Sequence, residues 1–69
     1  MDFGDRLSEV RRERGLTQTL LAERAGISAS MVHRYESGAA QPTLDVVRRL
    51  AVALSISADT LIFADSPRT

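Results

Sequence analysis

The sequence predicts an all-α domain, and three observations lead there. Apolar residues make up 43% of the chain with only three aromatics among them, so Ala, Leu and Val must form the core, as they do between packed helices. These residues recur at helical spacing in short runs separated by Gly15, Gly26, Gly38 and Pro42. Cysteine is absent, so neither a disulfide framework nor a thiolate metal site holds the fold together. A chain of 69 residues makes one domain. A domain of that size buries about 60% of the surface its unfolded form exposes, and packing alone must stabilise it.

Taken in order, Phe3, Leu7 and Val10 lie at i, i+4 and i+7, and Gly15 follows Arg11, Arg12 and Arg14, which predicts a first helix over residues 2–14. Thr17 offers an N-cap hydroxyl to a short second helix that turns Leu21, Ala22 and Ala25 inward and stops at Gly26. Ile27 anchors the turn. Ser28 caps a third helix that runs through Glu36, carries Val32 and Tyr35 as its inner stripe, and ends at Ser37-Gly38. After a loop through Pro42, Thr43 caps a fourth helix whose Leu44, Val47, Leu50, Ala51 and Leu54 share one face, the expected central core helix. Ser57 caps a last short helix over residues 58–62, with Leu61 packing back. The domain is expected to span residues 1–63, with 64–69 as a flexible tail or linker.

Charge separates along this order. Nine arginines balance nine acids, yet eight arginines stand against five acids between Arg6 and Arg49, leaving the middle basic and the ends acidic. No apolar run approaches the ~20 residues that span a bilayer, and the Met-Asp-Phe start lacks a basic segment followed by an apolar one. A cytoplasmic protein without a membrane role is expected. Nothing pairs a nucleophile with a base or sets two acids as acid and base, so an enzyme is not expected. His33 stands without a second His, a Cys or grouped acids, so no metal or other cofactor is expected, and solvation or phosphate contact is left for it.

Two short helices joined by a tight glycine turn form a helix-turn-helix, here running from Thr17 to Glu36, whose second member lies in the DNA major groove. At about 100° per residue, Ser28, Val32, Tyr35 and Glu36 fall together on the third helix, while Ser30, His33, Arg34 and Ser37 spread over the other side. Ala29 and Met31 lie on the flanks.

The chain resembles the phage repressor and Cro-type helix-turn-helix (XRE) family. The resemblance is carried by Arg11, the run Gly15-Leu16-Thr17-Gln18, Leu21-Ala22, Ala25-Gly26-Ile27-Ser28, Tyr35-Glu36, Gly38, Pro42 and Leu50-Ala51-Val52-Ala53-Leu54. It covers residues 3–62 and implies a compact five-helix lambda-repressor-like domain in which the second and third helices form the helix-turn-helix. The implied function is sequence-specific binding of double-stranded DNA as a transcriptional regulator, a repressor. By the resemblance, Gln18 contacts a phosphate or an edge base, and Ala29, Ser30, His33 and Arg34 read bases. Arg34 is the strongest candidate, because arginine pairs with guanine O6 and N7, while Ala29 or Met31 suits a thymine methyl. Thr17, Ser28 and Ser37 complete the expected contact set, and the backbone amides around Ser37, Gly38, Ala39 and Ala40 are expected to meet the sugar-phosphate chain. Arg6, Arg12, Arg14, Arg48 and Arg49 are expected mostly as solvated surface.

The resemblance also implies an ion pair between Arg11 and Glu36 that ties the first helix to the third, with a structural role. Two departures stand out: Ala29 where relatives often carry Arg or Gln, and Leu20 at a position usually polar. With Met31, these define a small apolar surface suited to a protein partner such as a toxin or an anti-repressor, which makes an antitoxin-like interaction module the alternative reading. One recognition helix reads too few base pairs to select a site in a genome, so a homodimer on a pseudo-palindrome is expected, with contacts around Leu61, Ile62 and Phe63 or in a segment further along.

Overall fold

The computed structural model describes residues 2–62, and the expectations for Phe63 and for a tail over 64–69 lie outside the described residues. Five helices follow one another: α1 (Phe3–Glu13), α2 (Gln18–Ala25), α3 (Ala29–Ser37), α4 (Leu44–Leu54) and α5 (Ala58–Ile62). Among the described residues there is no strand. The boundaries follow local chemistry. Asp2, Thr17, Ser28 and Thr43 each adopt extended backbone at the N-cap and accept a hydrogen bond from the amide three residues on, at 2.9, 3.0, 3.1 and 3.3 Å. Each cap satisfies one of the amides a helix start leaves free and contributes about 1 kcal/mol. Ser57 does the same for α5 through the amide of Thr60.

The core draws on every helix. Its largest fully buried side chains are Leu7, Leu21, Val32, Leu50, Leu54 and Leu61, one each from α1, α2, α3 and α5 and two from α4. Helix α4 packs against α2 and α5, while α1 reaches α3 and α5, so α1 and α4 together enclose the pair α2–α3 and the short α5. Leu44 departs from the expected inner stripe. It is 57% exposed, because it opens the helix and the first buried residue of α4 is Val47.

Arg6 of α1 departs from its expected place on the solvated surface, whereas Arg14, the C-cap residue of that helix, stays exposed and still finds a backbone partner. Arg6 is buried, and its Nε donates to the Leu61 carbonyl at 2.8 Å while Nη2 donates to that of Ile62. Arg14 donates through Nε to the carbonyl of Leu54 at 2.8 Å. The last carbonyls of a helix lack intrahelical partners and carry partial negative charge, which a guanidinium satisfies in both respects. A five-residue helix has no stability of its own, so Arg6 and Leu61 hold α5 in place. By contrast, Arg49 makes only an exposed pair with Asp45 at 2.9 Å, an i,i+4 contact on α4 contributing a few tenths of a kcal/mol.

Helix α4 ends on Ser55, which takes the left-handed conformation at φ 60° and ψ 40°. A side chain with a Cβ is strained there, and glycine is not. Ser55→Gly is therefore expected to raise stability by about 0.5–1 kcal/mol, seen as a rise of roughly 3–6 °C in the melting midpoint by circular dichroism. An unchanged or lower midpoint would contradict this.

Candidate nucleic-acid interface

The turn between α2 and α3 is built from backbone hydrogen bonds. Gly26 sits at φ 74°, its amide donates to Glu23 O at 3.3 Å, and the amide of Ile27 reaches back to Ala22 O at 3.0 Å. Only a residue without a Cβ takes this conformation freely, and the half-buried Ile27 packs on the core beside it. Ser28 then starts α3 at once. The mutual setting of the two helices is thus fixed by caps at both sides of the turn, before any side chain on the outer surface matters.

On α3, Val32 and Tyr35 are buried, whereas Ser30, His33, Arg34 and Ser37 are exposed, as the helical spacing requires. Ser30, His33 and Arg34 form an outward polar face. Ser37 is less available than expected, since its hydroxyl donates to Arg34 O at 3.2 Å within its own helix. Ala29 and Met31 are half-buried and pack against the core, so the apolar surface expected of Leu20, Ala29 and Met31 reduces to Leu20, which is 42% exposed. Thr17 and Ser28 are exposed, their oxygens taken up as caps, with the hydroxyl protons still able to donate.

The loop after α3 also corrects an expectation. The amide of Gly38 donates to Tyr35 O at 3.3 Å, and those of Ala39 and Ala40 donate to Arg34 O at 2.9 and 3.2 Å. All three satisfy the end of α3, so they do not face outward as phosphate donors. The same amides that close the helix cannot be counted twice. Leu61 is likewise removed from the expected dimer surface, being fully buried in its own core, while Ile62 is half-buried.

Behind the polar face lies a charged cluster. Arg11 Nε donates to Glu36 Oε2 at 2.6 Å and Arg11 Nη2 to Glu36 Oε1 at 3.2 Å, the two-pronged geometry that suits a guanidinium and a carboxylate. Arg11 Nη1 adds a bond to Leu16 O at 2.8 Å. The side chains of the pair are only 12% and 7% exposed. A third member joins them: Gln18 Nε2, on the first turn of α2, donates to Glu36 Oε1 at 3.0 Å. The resemblance points to the Arg11–Glu36 pair and, separately, to Gln18, but the sequence holds no sign of the Gln18–Glu36 bond, because nothing in the spacing sets the distance between the start of α2 and the end of α3. Among the described residues there is no group of three or more His, Cys, Asp or Glu side chains that could hold a metal ion.

Two capped helices meeting at a left-handed glycine, with a polar outer face on the second and an ion pair fastening it to α1, define a helix-turn-helix module. The chain belongs to the helix-turn-helix domain family, whose sequence profile matches residues 2–61. It is 38% identical over 61 residues to the cryptic phage CTXphi transcriptional repressor RstR of Vibrio cholerae, covering 88% of this chain and 54% of that protein. Among solved structures, the restriction-modification controller protein C.AhdI from Aeromonas hydrophila matches with a TM-score of 0.86 at 38% identity, over 87% of this chain and 91% of that one. The P22 c2 repressor protein, solved in complex with a synthetic operator, matches with a TM-score of 0.87 at 25% identity, over 94% of this chain and 98% of that one. The chain spans about half the length of such curated relatives. The lambda-repressor-like, all-α fold expected from the resemblance is therefore the observed one. Among the described residues no helix is long and apolar enough to cross a membrane.

Proposed function

We propose that this chain is the DNA-binding domain of a transcriptional regulator, of the repressor type, that places α3 in the major groove of a double-stranded operator. The observation that carries this reading is the exposed Ser30, His33 and Arg34 on a short, doubly capped helix, in a chain that superposes on a repressor solved with its operator. Arg34 supplies the base reading, Ser30 an adaptable hydrogen bond, and Gln18, Thr17 and Ser28 the contacts that set register. Ala29 and Met31 present only their outer edges to a thymine methyl, and Ser37 contributes only if its hydroxyl turns away from Arg34 O. With no net charge, affinity rests on placed donors and on two-fold symmetry more than on a basic field. The reading includes a homodimer with recognition helices about 34 Å apart, acting in the cytoplasm.

Selection from random double-stranded DNA, followed by salt-titrated mobility shifts, tests it. An enriched pseudo-palindrome bound less tightly as salt rises is expected, and no enriched motif would overturn the reading. Arg34→Ala is expected to weaken binding to the selected site roughly tenfold or more and to relax the preference at one position, without lowering the melting midpoint. An equal loss on unrelated DNA would assign Arg34 to phosphate contact instead.

A further inference from the structure

The Arg11–Glu36 pair is expected from the resemblance to be purely structural, yet its carboxylate also touches a residue of the DNA face. We propose that Glu36 is a positioning residue for DNA recognition, holding the Gln18 side-chain amide in one orientation before DNA arrives. The proposal rests on Gln18 being a DNA contact, as read above.

The chemistry of the bond fixes the orientation. An ionised carboxylate only accepts hydrogen bonds, so the NH2 group of Gln18, and not its carbonyl, must face Glu36 Oε1 at 3.0 Å. That amide has two N–H donors set apart by the planar geometry of its nitrogen. One is taken by Glu36, and the other is left to meet an outside acceptor, a phosphate oxygen or a base edge. Glu36 itself cannot swing to follow Gln18, because Arg11 grips both of its oxygens and is in turn bonded to Leu16 O. The carboxylate is nearly buried and Gln18 half-buried, so water competes little for the bond. Arg11 balances the charge of Glu36, so the cluster presents no net negative charge to an approaching phosphate. A glutamine already held this way loses little rotamer freedom on binding, whereas a free one loses most of it. Ala29 offers no polar group that would hold Gln18 from the start of α3, which leaves the hold to Glu36 at the other end of that helix.

A double-mutant cycle on the selected operator, read by fluorescence anisotropy, tests the coupling with Gln18→Ala, Glu36→Gln and the two combined. Glu36→Gln keeps one oxygen for the shorter bond from Arg11 Nε and puts an NH2 group where Oε1 met Gln18, so the Gln18 amide loses its acceptor. Its effect on affinity through charge is the same in both Gln18 backgrounds and cancels in the cycle. In the parent, Gln18→Ala is expected to weaken binding about fivefold, and with Glu36→Gln present by less than about twofold. Equal losses in both backgrounds overturn the proposal while leaving Gln18 as a contact. No loss in the parent removes Gln18 from the interface and the proposal with it. A second measurement needs neither DNA nor a folded variant: NMR of the Gln18 side chain in the free protein. One NH2 proton shifted away from the position of a solvated glutamine and protected from exchange with water is expected, and two protons at solvated shifts that exchange freely with water would overturn the proposal.

Discussion

Arg11→Ala is expected to abolish the cooperative thermal transition of this domain or to lower its midpoint by roughly 15–30 °C. The substitution removes three hydrogen bonds at once, two to Glu36 and one to Leu16 O. It leaves a carboxylate whose side chain is 7% exposed with Gln18 as its remaining bonded partner. Breaking one side of a buried pair costs about 3–5 kcal/mol, and the 12% exposure of Arg11 places the cost toward the lower figure. A domain this small has about 5 kcal/mol to lose. The effect is one of uncompensated charge, not of missing attraction. Replacing both partners with methionine is therefore expected to recover much of the loss, since an apolar pair leaves no buried carboxylate behind. Melts followed by circular dichroism decide the matter, and a midpoint for Arg11→Ala within a few degrees of the parent would overturn the assignment.

Helix positions were legible because capping chemistry is local. Thr17, Ser28, Thr43 and Ser57 each act within three residues of their own position, and Gly26 marks its turn by a conformation that other residues avoid. Inner stripes were legible for the same reason, with Leu44 failing only because a helix can extend a turn beyond the neighbour it packs on. The polar face of Ser30, His33 and Arg34 follows from helical geometry once Val32 and Tyr35 are placed inside.

What spacing alone did not reveal depends on distances between elements. Arg6 reads as one more surface arginine until α5 folds back and offers the carbonyls of Leu61 and Ile62. Met31 reads as a flank residue until the core proves wide enough to take it. The amides of Ala39 and Ala40 look free in a loop until the chain bends and both reach Arg34 O. In each case a polar or apolar group found a partner remote in sequence or across a bend, and the partner changed its role.

Gly4→Ala is expected to destabilise the domain by about 2–3 kcal/mol, although helix propensity alone predicts a gain of about 1 kcal/mol. Gly4 lies in the first turn of α1 with ordinary helical backbone, so its conformation does not require glycine. Its surroundings do. A Cβ added there would stand 2.6 Å from Glu36 O and 2.7 Å from Tyr35 O. Both are backbone atoms at the end of α3 and have no rotamer through which to retreat. Relief requires α1 to move away from α3, which stretches the Arg11–Glu36 pair and, through Glu36, shifts Gln18. An isolated glycine inside an apolar helical pattern was the one sequence signal for this close approach. Urea unfolding measures the result directly: a midpoint below that of the parent is expected, while a midpoint raised by Gly4→Ala would mean that α1 and α3 do not meet as closely as described. The same clash separates packing from contact with DNA, because Gly4 is buried against the back of α3 and lies apart from its polar face. Any loss of operator affinity in a still-folded Gly4→Ala variant must then be transmitted through the Arg11, Glu36 and Gln18 cluster, and it should shrink when Gln18 is already alanine.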